Sequence, residues 1–126
     1  MTRPRAEGAN LVSDEPCTPI TERLLELAVE HRPEVSVVRA AGEIDLCTAP
    51  RLAETLAGQP GPVVLDLSRV GFLSAAGVQV VLDVCARGCQ LCLVAPRGTQ
   101  VCRVLDLTGV TAVVSRFEEL GDALGA

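Results

Sequence analysis

The chain has 126 residues, of which 48% are hydrophobic, with a formal net charge of −5 and only two aromatic side chains, Phe72 and Phe117. That suits one domain with an aliphatic core and is too short for two; the acidic balance opposes a nucleic-acid partner, and the missing aromatics oppose base stacking and aromatic interface anchors. All eleven basic residues are Arg, which excludes Schiff-base and Walker-type lysine chemistry.

Residues 1–20 hold Pro4, Pro16 and Pro19 among polar and charged residues without any period, which predicts a flexible tail; the folded domain is expected over residues 21–126. No apolar run reaches the ~18 residues of a membrane span. Glu7, Asn10, Asp14 and Glu15 break up any signal-peptide stretch behind Arg3 and Arg5. The expectation is a cytoplasmic protein with no membrane partner.

Leu25, Leu27 and Val29 alternate with Glu26, Ala28 and Glu30, the pattern of a half-buried strand. His31-Arg32-Pro33-Glu34 turns the chain into a second strand, Val35 to Ala40, and the two are expected to form an antiparallel hairpin. Gly42-Glu43-Ile44-Asp45 then reads as a polar-edged turn leading to Thr48, a candidate N-cap with Pro50 in the first helical turn. Ala49, Leu52, Ala53 and Leu56 follow at helical spacing, and Gly58 ends that helix.

Val63-Val64-Leu65-Asp66-Leu67 is almost continuously apolar, as in a strand buried on both faces. A helix is predicted over Ala75–Arg87, with Val78, Val81, Leu82 and Cys85 inward and Gln79, Asp83 and Arg87 outward. Leu91 to Val94 is a further strand. Gln100–Thr108 is a third helix, with Val101, Val104, Leu105 and Thr108 on one face and Gly109 at its end. Val113-Val114 is read as the last strand, and Ser115-x-x-Glu118 as a capping box opening a final helix that buries Phe117, Leu120 and Leu124. The order β-β-α-β-α-β-α-β-α predicts an α/β fold with a mixed sheet of about five strands and about four helices.

Three ordered segments, Gly42-Glu43-Ile44-Asp45, Val64-Leu65-Asp66-Leu67-Ser68 and Phe72-Leu73-Ser74-Ala75-Ala76-Gly77, together resemble the STAS domain, in particular the bacterial anti-sigma-factor antagonists. The resemblance covers roughly Arg23 to Leu124 and reaches the Leu105-x-x-Thr108-Gly109 helix end. It implies a partner switch. Such domains bind an anti-sigma factor of serine-kinase type, with a histidine-kinase-like ATPase fold, and so free a sigma factor; phosphorylation of the antagonist breaks the complex. The family's Asp-Ser-Ser/Thr-Gly segment falls here on Ser74, Ala75, Ala76 and Gly77, so both hydroxyl positions are methyl groups that accept no phosphate. Ser74 keeps a hydroxyl but, as N-cap, is expected to bond the N–H of Ala76 or Gly77. The resemblance places partner contact at Asp45, Leu46, Cys47 and Thr48 and at Ser74, Ala75, Ala76, Gly77 and Gln79. No cofactor, metal or catalytic residue is implied. Other members serve as accessory subunits of transporters or lipid-trafficking ATPases, or as small-ligand modules. Against the last, Gly58-Gln59-Pro60-Gly61 contains Pro and opens no helix.

The remaining chemistry-bearing residues read as structural. Cys85-x3-Cys89-x2-Cys92 matches an iron–sulfur spacing, but its members fall on a helix, behind Gly88 and in a strand. The six cysteines read as reduced, small apolar fillers. His31 is the only histidine, so a zinc site has little to build on. Glu43 and Asp45 suit capping or partner contact better than acid–base work, and Asp66 suits a cap on Ser68 or the following turn.

Overall fold

The computed structural model describes residues 3–4, 6–7 and 24–125. The expected tail and the domain start near Thr21 lie outside these residues, apart from a two-residue pairing of Arg3–Pro4 with Ala6–Glu7. Five strands form one sheet: β1 (Leu25–His31), β2 (Ser36–Ile44), β3 (Val63–Leu73), β4 (Leu91–Val94) and β5 (Ser115–Phe117). Their spatial order is their chain order, with β1 antiparallel to β2 and the remaining pairs parallel. The helices are α1 (Ala49–Ala57), α2 (Ala75–Ala86), α3 (Gln100–Leu107) and α4 (Leu120–Leu124), with a 3₁₀ turn at Val110–Ala112.

Adjacent parallel strands joined by right-handed crossovers put their helices on one face. Accordingly Leu52 and Leu56 of α1, Val78 and Val81 of α2, and Val101 and Leu105 of α3 share one core with Val38, Leu65 and Leu93 of the sheet. The other face is smaller: Val37, Val64 and Val94 pack with Ala123 of α4. Alternate side chains of the central strands thus supply the two cores, which is why Val63–Leu67 reads as one apolar run.

The hairpin, the mixed sheet and the four helices are as expected, while several boundaries move. Gly42, Glu43 and Ile44 are strand, not turn: β2 pairs with β3 as far as Ile44 opposite Leu73, across register shifts near Arg39–Glu43. Gly42 makes this possible. Its φ of +119° and the approach of the Leu24 carbonyl leave no room for a Cβ. β3 likewise runs on past Leu67 because β2 continues to pair with it, although Ser68, Arg69 and Gly71 break the apolar pattern. α2 buries Gly77, Val78, Val80, Val81 and Val84, leaving the expected Leu82 and Cys85 only half-buried.

On α3, Thr108 is an exposed C-cap and Cys102 takes its place in the core. The last strand is Ser115–Phe117; Val113, expected within it, is 66% exposed after the 3₁₀ turn. Ser115 therefore opens no capping box, and Glu119 precedes the short α4. Glu118 instead accepts from the Arg97 N–H at 3.0 Å and pairs with Arg97 and Arg116, so it ties β5 to the loop after β4.

Candidate functional site

β2 and β3 end side by side, with Ile44 in register with Leu73, and the Ser74 N–H donates to the Ile44 carbonyl at 2.9 Å. The Asp45–Thr48 turn and the start of α2 therefore emerge next to each other from the carboxyl end of the parallel sheet. The two expected docking segments, well separated in sequence, form one neighbourhood.

The turn is held by a closed set of hydrogen bonds. Asp45 Oδ1 accepts from the N–H groups of Cys47 at 2.9 Å and Thr48 at 3.0 Å, an Asx-type arrangement. Thr48 Oγ1 accepts from the Asp45 N–H at 2.8 Å and donates to the Glu43 carbonyl at 3.0 Å. Thr48 occupies the N-cap position with helical dihedrals and makes no side-chain cap bond, so the expected cap by Thr48 is corrected: the Asp45 carbonyl accepts from Ala49 N–H at 2.8 Å, and the Thr48 carbonyl from Arg51 N–H at 3.0 Å. A carboxylate engaged in this way shapes backbone. Thr48 is fully buried, whereas Leu46 at the tip is 79% exposed.

At the second segment Ser74 is the extended N-cap of α2, but its side chain makes no cap bond, and Oγ is buried without a partner among the described residues. The expected bond to Ala76 or Gly77 is absent. Ala75 is exposed and Ala76 half-buried against the core. Gly77 is buried: a methyl there would lie 2.7 Å from Ile44 Cγ2 and closer still to Leu73 Cδ1. Its smallness lets α2 sit on the strand ends, so Gly77, like Thr48, shapes the site from beneath and offers no surface of its own. Gln79 is exposed and donates to Asp83 Oδ1 at 2.8 Å along the outer face of α2.

Two more residues belong to this neighbourhood, Phe72 from the expected strand-to-helix segment and Gln100 from outside it. Phe72, opposite Glu43 in register, is 42% exposed, so the sheet end that carries Leu46 has a second exposed apolar side chain. Gln100, the first residue of α3, accepts from the Leu73 N–H at 2.8 Å and donates to the Leu73 carbonyl at 3.2 Å. β4 ends opposite Asp66, so Leu73 has no strand partner on that side, and the amide supplies one. A glutamine at a helix start carries no sequence signal for such a role.

The other candidates lie elsewhere. Asp66 Oδ1 accepts from the Ser68 N–H at 2.9 Å, the expected local cap. His31 is exposed, with Nδ1 3.3 Å from Ser36 Oγ. Cys85, Cys89 and Cys92 line one cleft of about 630 Å³ near the opposite end of the strands. Burial raises the Cys85 thiol, with neighbouring Cys89 adding to it, and burial raises Cys89 as well. Among the described residues no group of three or more His, Cys, Asp or Glu is placed to hold a metal ion. No described helix is long and apolar enough to cross a membrane.

Comparison with known proteins bears on the whole of this neighbourhood. The STAS domain family model matches residues 26–123, a span that includes both segments. The chain is 34% identical over 96 residues to the anti-sigma-F factor antagonist RsfB of Mycobacterium tuberculosis, covering 71% of this chain and 79% of that protein. The crystal structure of an anti-sigma factor antagonist from Mycobacterium paratuberculosis superposes with a TM-score of 0.72 at 29% identity, covering 88% of this chain and 95% of the other. The unphosphorylated form of the Bacillus anti-sigma factor antagonist SpoIIAA gives a TM-score of 0.62 at 20% identity, over 79% of this chain and 93% of that one; this likeness is one of fold.

Proposed function

This chain belongs to the STAS domain family, and from that premise we propose that it is an anti-sigma factor antagonist, a regulatory binding protein and not an enzyme. The observation that carries the proposal is the 34% identity to the antagonist RsfB over 79% of that protein. In this reading the chain acts in the cytoplasm, binds an anti-sigma factor of serine-kinase type and thereby frees a sigma factor.

The docking surface would be the rim of the site: Asp45, Leu46 and Cys47 from the turn, Ser74, Ala75 and Ala76 from the helix start, and Gln79 beyond, with Leu46, Ala75 and Gln79 its exposed members. Leu46 and Phe72 supply exposed apolar area there, and Ala75 lets a partner approach closely without burying a polar group. Thr48 and Gly77 support this rim without facing it. Control by phosphate at the helix start would be lost, because positions 75 and 76 carry no hydroxyl. Ser74 is a poor substitute, since its Oγ is enclosed and a kinase must reach the oxygen it modifies.

The test is affinity capture with the purified full-length chain against the kinase-type anti-sigma factors of the same genome, followed by incubation of the captured pair with ATP. Capture that Leu46→Asp abolishes supports the docking surface. Failure to bind any of them removes the antagonist reading, and stoichiometric phosphate on this chain removes the unswitched one.

A further inference from the structure

The sheet domain opens at Leu24, and 23 residues precede it in the chain. β1 runs antiparallel to β2 with Leu25 opposite Gly42, and β2 ends two residues later at Ile44. The Leu24 carbonyl approaches Gly42 so closely that no Cβ fits between them. The preceding segment therefore enters the fold at the sheet end that carries the Asp45–Thr48 turn and the start of α2.

That end is also where apolar side chains stand uncovered. Six large apolar residues are exposed among the described residues, and three of them, Leu24, Leu46 and Phe72, belong to this end. Apolar area left in water at a rim favours a contact that removes it. The preceding segment carries apolar side chains of its own in Leu11-Val12 and Ile20. Val12 stands twelve residues before Leu24, an extended reach of about 40 Å. Leu46 is four residues past Gly42, about 14 Å away at most. A tethered segment meets its target at an effective concentration of about 1 mM, so even a weak contact is populated.

We propose that the N-terminal segment, through Leu11 and Val12, folds back over the docking rim at Leu46 and competes there with the anti-sigma factor. The competition rests on the antagonist reading; the contact within the chain does not. A partner must displace the segment before it docks. A contact with an intrinsic dissociation constant of about 0.2 mM, met at about 1 mM, lowers the partner's apparent affinity about sixfold. The chain thereby carries its own control over a rim whose positions 75 and 76 have no hydroxyl to modify.

The contact is tested by amide NMR spectra of the isotope-labelled full-length chain without any partner. The double variant Leu11→Asp/Val12→Asp should move the signals of Leu46, Phe72 and Ala75. Arg3→Gln/Arg5→Gln, which alters the charge of the segment and keeps its apolar pair, should leave them in place. Affinity for the kinase-type anti-sigma factor, measured by surface plasmon resonance, should rise about sixfold in the apolar double variant alone. Spectra that coincide at Leu46, Phe72 and Ala75 overturn the proposal. So do rim signals that shift with protein concentration, since these identify a second copy of the chain as the occupant. A contact seen in the spectra with unchanged partner affinity overturns the competition. If no anti-sigma factor binds, the antagonist reading falls, and the spectra still decide whether the segment covers the rim.

Discussion

The side-chain amide of Gln100 meets the backbone of Leu73 as a neighbouring strand would, accepting from its N–H at 2.8 Å and donating to its carbonyl at 3.2 Å. Gln100→Ala leaves both groups without that partner, at a position where the Leu73 side chain is buried. The expected loss of stability is about 1–3 kcal/mol. Urea unfolding measures it, and Gln100→Glu should recover part of it because the acceptor half survives.

Gly77→Ala forces a methyl against Ile44 and Leu73. Overpacking of this kind costs about 1–3 kcal/mol, and here it should also lift the start of α2 off the strand ends. A lowered melting temperature together with amide chemical-shift changes at Asp45–Thr48 is the expected result. A melting temperature equal to the parent's would show that the helix has slack at this point.

Ser74→Ala removes a hydroxyl whose oxygen is enclosed without a partner among the described residues. An unpaired buried polar atom is a liability, so the substitution should be neutral or stabilising by up to about 1 kcal/mol. Had Ser74 been a bonded N-cap, the same change would cost about 1 kcal/mol. The sign of the change in unfolding free energy decides between the two.

Ala76→Asp and Leu46→Asp place a carboxylate at the proposed docking surface. Each should weaken anti-sigma factor binding by at least about tenfold, as expected when a charge enters an apolar contact. Leu107→Asp, which alters an equally exposed leucine at the end of α3, should leave binding intact. Surface plasmon resonance on the three variants, each checked for fold, separates a local interface from a general loss of apolar surface.

Glu118 is held below the usual carboxylate range, first by the Arg97 N–H and then by the bond from Arg116. A carboxylate whose folded value is depressed contributes stability that is present at neutral pH and lost as pH falls through its ordinary value toward the folded one. The parent chain should therefore lose stability below about pH 4.5 more steeply than Glu118→Gln, the difference growing as the carboxylate protonates. Melting curves between pH 3 and pH 7, ranges chosen around the carboxylate values, test this; parallel curves for the two proteins would remove Glu118 from the acid response.

The alternation in Leu25–Val29, the apolar run Val63–Leu67 and the helical spacing around Val78 and Val81 made the sheet and its helices legible, since each pattern matches the face it buries. What could not be read were features fixed by neighbours distant in sequence. Gly42–Ile44 and Ser68–Leu73 look like turns because they are polar or broken, yet they are strand because each pairs with the other. Ser115-x-x-Glu118 has the form of a capping box, but Ser115 is drawn into pairing with Cys92 and Glu118 is claimed by two arginines. At the site, the two segments were legible from the resemblance. Capping by Asp45 was one of the two uses read for it; the inward orientation of Thr48 and Gly77 and the contribution of Gln100 were not legible, since they depend on how two strand ends and two helix starts meet.

β3 outlasts β4 by the whole of residues 67–73, so the sheet end bearing the site is built like a cantilever. On one side β2 braces it along its length; on the other, α3 packs against it and the Gln100 amide props its tip. A pull on the start of α2 would be carried chiefly into β2 through the Ser74–Ile44 bond. The opposite side can give only as far as α3 can shift, which makes α3 the element whose position sets how stiffly the rim is held.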